Sequence, residues 1–95
     1  MKIPQKLKVG GHIYKILVSK TSSEQKGHNN WGRTNHGTLN IYIDRELAES
    51  KQEETFFHEL LHAVDHHMGS IMKEDVIEKI SNGLYQVLKD NNLLK

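Results

Sequence analysis

The chain has 95 residues, 36% apolar and 26% charged with a single proline, a composition that supports one soluble domain burying about 60 to 65% of its unfolded surface. Formal charge is +1 and there is no cysteine, which excludes disulfide frameworks, thiolate metal sites, cysteine nucleophiles and iron–sulfur clusters, so any metal site must use His, Asp or Glu. No run approaches the roughly 18 apolar residues of a membrane span, and Met1 to Lys6 lacks the apolar stretch of a signal peptide, so the expected setting is the cytoplasm, without a membrane partner. In chain order, Lys6 to Val9 alternates polar and apolar residues, Gly10-Gly11 is a two-residue hairpin signal, and His12 to Val18 is rich in strand formers. Residues Ser19 to Asn30 hold almost nothing apolar and read as an exposed connection, with Lys26, His28, Asn29 and Asn30 as a candidate flexible lid or a solvated loop. Trp31 to Thr34 and Leu39 to Ile43 then read as two strands about a turn near Asn35-His36-Gly37, and the alternation Leu39, Ile41, Ile43 puts one face on a core.

The second half reads as helices. From about Ser50, with Glu53 three residues on as a capping box, Phe57, Leu60, Leu61, Val64 and Met68 repeat at helical spacing, and Gly69 supplies a stop near residue 68. A second helix over about 73–90 carries Ile77, Ile80, Leu84, Val87 and Leu88 on one stripe, with Glu74 and Asp75 near its start and Lys89 near its end, as the macrodipole favours. The expected fold is a single α+β domain spanning 1–95: a twisted, mainly antiparallel sheet of three or four strands over about residues 5–44, with the two helices packed on one face.

Seven histidines in 95 residues are the compositional oddity. Two of them stand in His58-Glu59-Leu60-Leu61-His62, the pattern H-E-x-x-H. On a helix the imidazoles of His58 and His62 lie about 40° apart in projection and one turn along the axis, so both can reach one small ion such as Zn²⁺. Glu59, rotated by about 100° from His58, lies beside such an ion, where its carboxylate can take a proton from metal-bound water. The plain alternative is a polar flank of an amphipathic helix, since both histidines project to the edge of the apolar stripe. Catalytic zinc needs a third protein ligand. His66 is about 12 Å from His58 along the helix, too far to share the ion, and Asp65 falls one turn beyond it as a supporting or surface group. Glu78, with Asn82 and Tyr85 on the same stripe of the next helix, is the expected third ligand, with Glu74 and Asp75 as substitutes.

The pairing of His58 to His62 with Glu78-Lys79-Ile80-Ser81-Asn82 resembles the gluzincin zinc peptidases, whose thermolysin-type members carry a ligand glutamate in an E-x-x-S-D segment of the following helix. Asn82 stands where their aspartate orients a ligand histidine. In length and order of elements the chain looks like the minimal gluzincins and the ImmA/IrrE-type peptidases of mobile elements. Segments such as Gly11 to Ile16 and Gln52 to Glu59 also resemble small phage and prophage proteins known by that motif. The resemblance spans most of the chain, although H-E-x-x-H is its specific part. It implies a zincin-like fold with one Zn²⁺ per chain, and a cytoplasmic protein of the host if the gene is phage-borne.

The expected reaction is peptide-bond hydrolysis, with zinc on His58, His62 and Glu78, Glu59 passing the proton, and Tyr85 ahead of His36 and Tyr42 as donor to the developing oxyanion. In the resembled families an edge strand pairs with an extended peptide substrate. Leu39, Ile41 and Ile43 lie on the strand before the metal helix, which either offers an edge or is paired on both sides. Trp31, Arg33 and His36 line a substrate groove, contact nucleic acid or, for Trp31, enter the core. Two other function classes stay open: a catalytically silent zincin scaffold that binds a partner in a mobile element, and a small nucleic-acid-binding regulator. The second rests on a charge of +4 over residues 1–50 against −3 over 51–95, a mild asymmetry that makes nucleic acid the less favoured partner. Composition does not define an oligomeric state.

Overall fold

The structure is a computed structural model that describes residues 1–20 and 31–94. The lid expected at Lys26, His28, Asn29 and Asn30 lies outside the described residues. Strands β1 (Lys6–Val9) and β2 (His12–Ser19) form the expected hairpin. Gly10 and Gly11 both sit at positive φ, 60° and 84°, the pair of left-handed residues that a two-residue turn between twisted strands favours. Strands β3 (Gly32–Asn35) and β4 (Asn40–Asp44) form a second hairpin. Its turn is tied by the Asn35 side-chain oxygen, which accepts the N–H groups of Gly37 and Thr38 at 3.0 Å each, a local bond that competes with continued strand.

The four strands order as β1-β2-β4-β3. The outer pairs are antiparallel and the central pair, β2 with β4, is parallel, so the molecule is α+β with a mixed sheet. This order corrects one expectation. The strand carrying Ile41 and Ile43 is paired on both sides and has no edge to offer a peptide, while Leu39 precedes it at φ 61° in the turn. Among the described residues the edge strand of that hairpin is β3. Strand alternation sorts the side chains by face: Tyr14, Ile16, Ile41 and Ile43 are buried with Val9 on one face, whereas Lys15, Leu17 and Arg33 are exposed on the other.

Helix α1 (Glu49–His67) lies across the buried face and adds Phe56, Phe57 and Ala63 to the core. Burying a Phe or Ile in this way stabilises the fold by about 1.5–3 kcal/mol per side chain. The helix begins one residue earlier than expected, with Ala48 at the cap and no side-chain capping bond, so Ser50 lies within the first turn. The entry is instead organised by Gln52, whose amide donates to the carbonyls of Arg45 and Leu47 at 3.1 and 2.9 Å. Glu53 is turned away from the cap and into the core.

Chain reversal after α1 uses two successive left-handed residues, Gly69 at φ 101° and Ser70 at φ 55°. One Asp65 carboxylate oxygen accepts the N–H groups of Ile71 and Met72 at 2.9 and 3.0 Å and fixes the turn. Helix α2 (Glu74–Asp90) then runs back antiparallel along α1, so that Tyr85 packs on Phe57. Its buried residues are Ile77, Ser81 and Tyr85. Ser81 is small enough for close helix approach, and its hydroxyl is satisfied by the Glu78 carbonyl at 3.0 Å. Ile80, Leu84 and Val87, expected on the core, instead form an exposed stripe. No helix among the described residues is long and apolar enough to cross a membrane.

Candidate metal centre

Three side chains converge where the second half of α1 meets the first turn of α2. His58 and His62 bring their Nε2 atoms to 3.2 Å from each other, as the i, i+4 spacing of a helix allows. Glu74, in the first turn of α2, places one carboxylate oxygen 2.7 Å from His58 Nε2 and the other 2.8 Å from His62 Nε2. The three groups each present a ligand atom within 4.8 Å of the others, the one such metal-competent group among the described residues.

Protons alone serve this arrangement poorly. Each Nε2 bonds to Glu74 only as an N–H donor, and two donors cannot also bond to one another across 3.2 Å. A cation at their common focus removes the conflict. Tetrahedral zinc with bonds of about 2.0 to 2.1 Å separates its ligand atoms by roughly 3.3 to 3.4 Å. The observed triangle is tighter than that by a few tenths of an ångström or slightly more, within reach of small side-chain rotations. Two imidazoles and one carboxylate are also the donor types that suit zinc, so the residues present fit the ion.

Glu59 is not one of the three converging groups but borders the same cleft, a cavity of about 220 Å³ lined also by Trp31, Lys51, Glu54, Glu78 and Asn82. It is buried, and its Oε1 accepts a 2.7 Å hydrogen bond from the Thr34 hydroxyl on β3. Burial pushes the Glu59 carboxyl above its usual range, helped by the neighbouring Glu74 carboxylate and opposed by the Thr34 bond and by His58 and His62. The approach of β3 to α1 depends on Gly32. A Cβ there would lie 2.5 Å from Thr55 Cγ2, 2.9 Å from the Tyr42 carbonyl and 3.3 Å from Glu59 Cγ.

Several expected site residues stand elsewhere. Glu78 and Asn82 line the cleft, but the carboxylate on the histidines is Glu74, one turn earlier. Asn82 makes no hydrogen bond to either ring among the described residues, and Asp65 supports the turn at 71–72 instead of either histidine. Tyr85 is buried with its hydroxyl donating to Glu53 Oε1 at 2.7 Å, so it presents no donor to the cleft. Tyr42 lies on the opposite sheet face under the Arg33 guanidinium, 5.4 Å from its ring centre. His36 stacks on His66 at 4.0 Å between ring centres and lies outside the cleft lining. Trp31 is not a core residue; it is 44% exposed and borders the cleft.

Thr34 and Gly32 were not legible as site residues, because their roles exist only once β3 lies on α1. An isolated glycine in a strand pattern is the one signal that pointed to close approach there. No protein-family model, curated protein or solved structure matches the chain.

Proposed function

We propose that the chain is a zinc-dependent peptidase that holds one Zn²⁺ with His58, His62 and Glu74 and uses Glu59 as the proton-transfer group. The observation that carries this reading is the convergence of the three ligand atoms within 4.8 Å at the mouth of a cleft that Glu59 also lines. The resemblance to minimal gluzincins and ImmA/IrrE-type peptidases supports it through the H-E-x-x-H motif, with Glu74 taking the part assigned to Glu78.

When bound, the ion supplies Lewis acidity, acidifying water and polarising a peptide carbonyl. Glu59 takes a proton from water as its oxygen forms a bond to the carbonyl carbon, then delivers that proton to the amide nitrogen as the carbon–nitrogen bond breaks. Thr34 holds the Glu59 carboxylate in one rotamer, so the transfer needs little reorganisation. Strand β3, which borders the cleft through Gly32 and is the sheet edge among the described residues, offers its outer backbone to an extended peptide.

A second reading, a partner-binding scaffold without catalysis, is favoured by one observation. The stripe Val76, Ile80, Leu84 and Val87 on α2 is 38 to 56% exposed, as a docking face is and a solvated helix is not.

The test is zinc stoichiometry by elemental mass spectrometry on untagged protein, with cleavage of a peptide library measured in parallel. The proposal expects about one zinc per chain, lost in Glu74→Ala and retained in Glu78→Ala and Glu59→Gln, with Glu59→Gln inactive. No zinc in the wild type, even after it is added back, overturns the metal site. Zinc without cleavage of any peptide leaves the scaffold.

A further inference from the structure

Beyond the ligand triad the cleft continues toward the N-terminal half of α1, and its chemistry there is distinct. The sole tryptophan, Trp31, contributes an aromatic face at the entry to β3. Against it lies the Lys51 ammonium, 5.0 Å from the ring centre and 3.6 Å from Glu54 Oε1. The chain's own lysine is therefore held as a cation between a π-face and a carboxylate, inside the cavity that opens on His58 and Glu74. Lys51 is tied there weakly: its side chain is half exposed, and an i, i+3 pair on a helix surface is readily exchanged. Across the cleft stands Glu78, which pairs with no cation among the described residues.

Among the described residues the opening thus presents an aromatic wall and two carboxylates, with one flexible cation that can swing out. A guanidinium matches these parts best, because its planar fork engages carboxylates with paired N–H donors while its face stacks on an indole. An anionic side chain meets the Glu54 and Glu78 carboxylates and has Lys51, already paired with Glu54, as its counterion there. We propose that Trp31, Glu54 and Glu78 form a subsite for a cationic side chain, arginine above lysine, of a peptide lying over the His58, His62 and Glu74 centre. The inference rests on the peptidase reading only for the claim that the ligand is a peptide.

Because Trp31 is the only tryptophan, its fluorescence reports occupancy of the subsite without any need for turnover. The zinc-loaded Glu59→Gln protein is titrated with blocked Ala-Ala-Xaa-Ala-Ala peptides in which Xaa is arginine, lysine, citrulline or glutamate. The arginine peptide is expected to perturb Trp31 and to bind at least about tenfold more tightly than the citrulline and glutamate peptides. Adding Glu54→Gln and Glu78→Gln together is expected to erase that preference. Lys51→Met is expected to tighten arginine binding by removing the internal competitor, and Asp90→Asn, at the far end of α2, to change nothing.

Equal affinity for all four peptides, or a preference that survives the double glutamine variant, overturns the subsite. Zinc-dependent cleavage without regard to Xaa also removes the subsite and keeps the peptidase. Tight arginine-peptide binding at Trp31 in a protein that neither holds zinc nor cleaves keeps the subsite and removes the peptidase.

Discussion

Glu53 is 1% exposed and accepts three hydrogen bonds, from the Tyr85 hydroxyl at 2.7 Å, the Met1 ammonium at 3.1 Å and the Lys89 ammonium at 3.2 Å. Burial alone would push its carboxyl up, but these donors together outweigh burial and hold it below its usual value of 4.5. The same contact explains Tyr85, whose hydroxyl is pushed far up by burial and by the adjacent Glu53 charge. Tyr85 is thus a packing and hydrogen-bonding residue, and Tyr85→Phe is expected to lower stability by about 1–2 kcal/mol while leaving any peptide cleavage at its wild-type rate. Glu53→Ala, which also leaves that hydroxyl without an acceptor, is expected to cost about 2–4 kcal/mol in urea unfolding at pH 7. The pH dependence has a defined sign. With the folded value depressed, the stabilisation by Glu53 is complete above pH 4.5 and is lost as pH falls through the folded value. The gap in stability between wild type and Glu53→Gln is therefore expected to narrow between pH 5 and 3, and a constant gap across that range would refute the assignment.

At the scale of elements, the parts with strong local signals were legible and those set by non-local pairing were not. Both hairpins, both helices and the histidine pair follow from short-range rules: positive-φ glycines at a tight turn, a 3.6-residue apolar period, and i, i+4 ligand spacing. Strand order is different, because the parallel pairing of β2 with β4 joins segments 25 residues apart, Ile16 to Ile41, and it alone decides that β3 is an edge. That Glu74, a substitute for Glu78 in the sequence, is the carboxylate on the histidines has a related cause. Glu74 reaches the histidines because Asp65, Gly69 and Ser70 reverse the chain within a few residues, whereas the E-x-x-S-N segment that resembles the gluzincins begins one turn later. Ile80, Leu84 and Val87 carry the apolar period of α2, yet its buried line is Ile77, Ser81 and Tyr85, since a helix lying on another helix needs a small residue at the crossing more than a continuous apolar stripe. The join between β3 and α1 gives an element-scale prediction. Gly32→Ala places a methyl 2.5 Å from Thr55 Cγ2 and 2.9 Å from a backbone carbonyl that cannot easily yield, so a loss of about 1–3 kcal/mol is expected, with disturbance of the Thr34–Glu59 bond. Thr55→Ala in the same chain should recover part of the stability. Full stability of Gly32→Ala alone in thermal unfolding would show that β3 is not held to α1 as described.

Across the whole molecule, four of the remaining histidines join the two halves of the chain. His12 and Tyr14 come from β2, His36 from the β3–β4 turn, and His66 and His67 from the last turn of α1. The Tyr14 hydroxyl, fully buried, lies 3.2 Å from His36 Nδ1 and 3.0 Å from His67 Nε2. It has one proton, so it donates to one ring and accepts from the other, and burial raises its own pKa so that it stays a donor. His36 is stacked face to face on His66, and His12 on His67 at 5.3 Å between ring centres. Protonating His36 at Nδ1 removes an acceptor for the Tyr14 hydroxyl and sets a charge against the stacked His66 ring. Burial accordingly lowers the His36 pKa below 6.5, and the charges of His66, His62 and His67 lower it further. The unfolded chain therefore binds this proton before the folded one does, so the contribution of His36 is complete above pH 6.5 and is lost as pH falls through its folded value. Wild-type stability is expected to decline from pH 7 to 5 more steeply than that of His36→Asn, which keeps an acceptor for Tyr14 but does not titrate. The difference in slope is bounded at about 1.4 kcal/mol per pH unit for one proton. Measuring both proteins in excess chelator keeps any metal bound at His58 and His62 out of the comparison. Parallel pH profiles would mean that the cluster holds the β3–β4 turn to α1 through stacking alone, with its charge state immaterial to the fold.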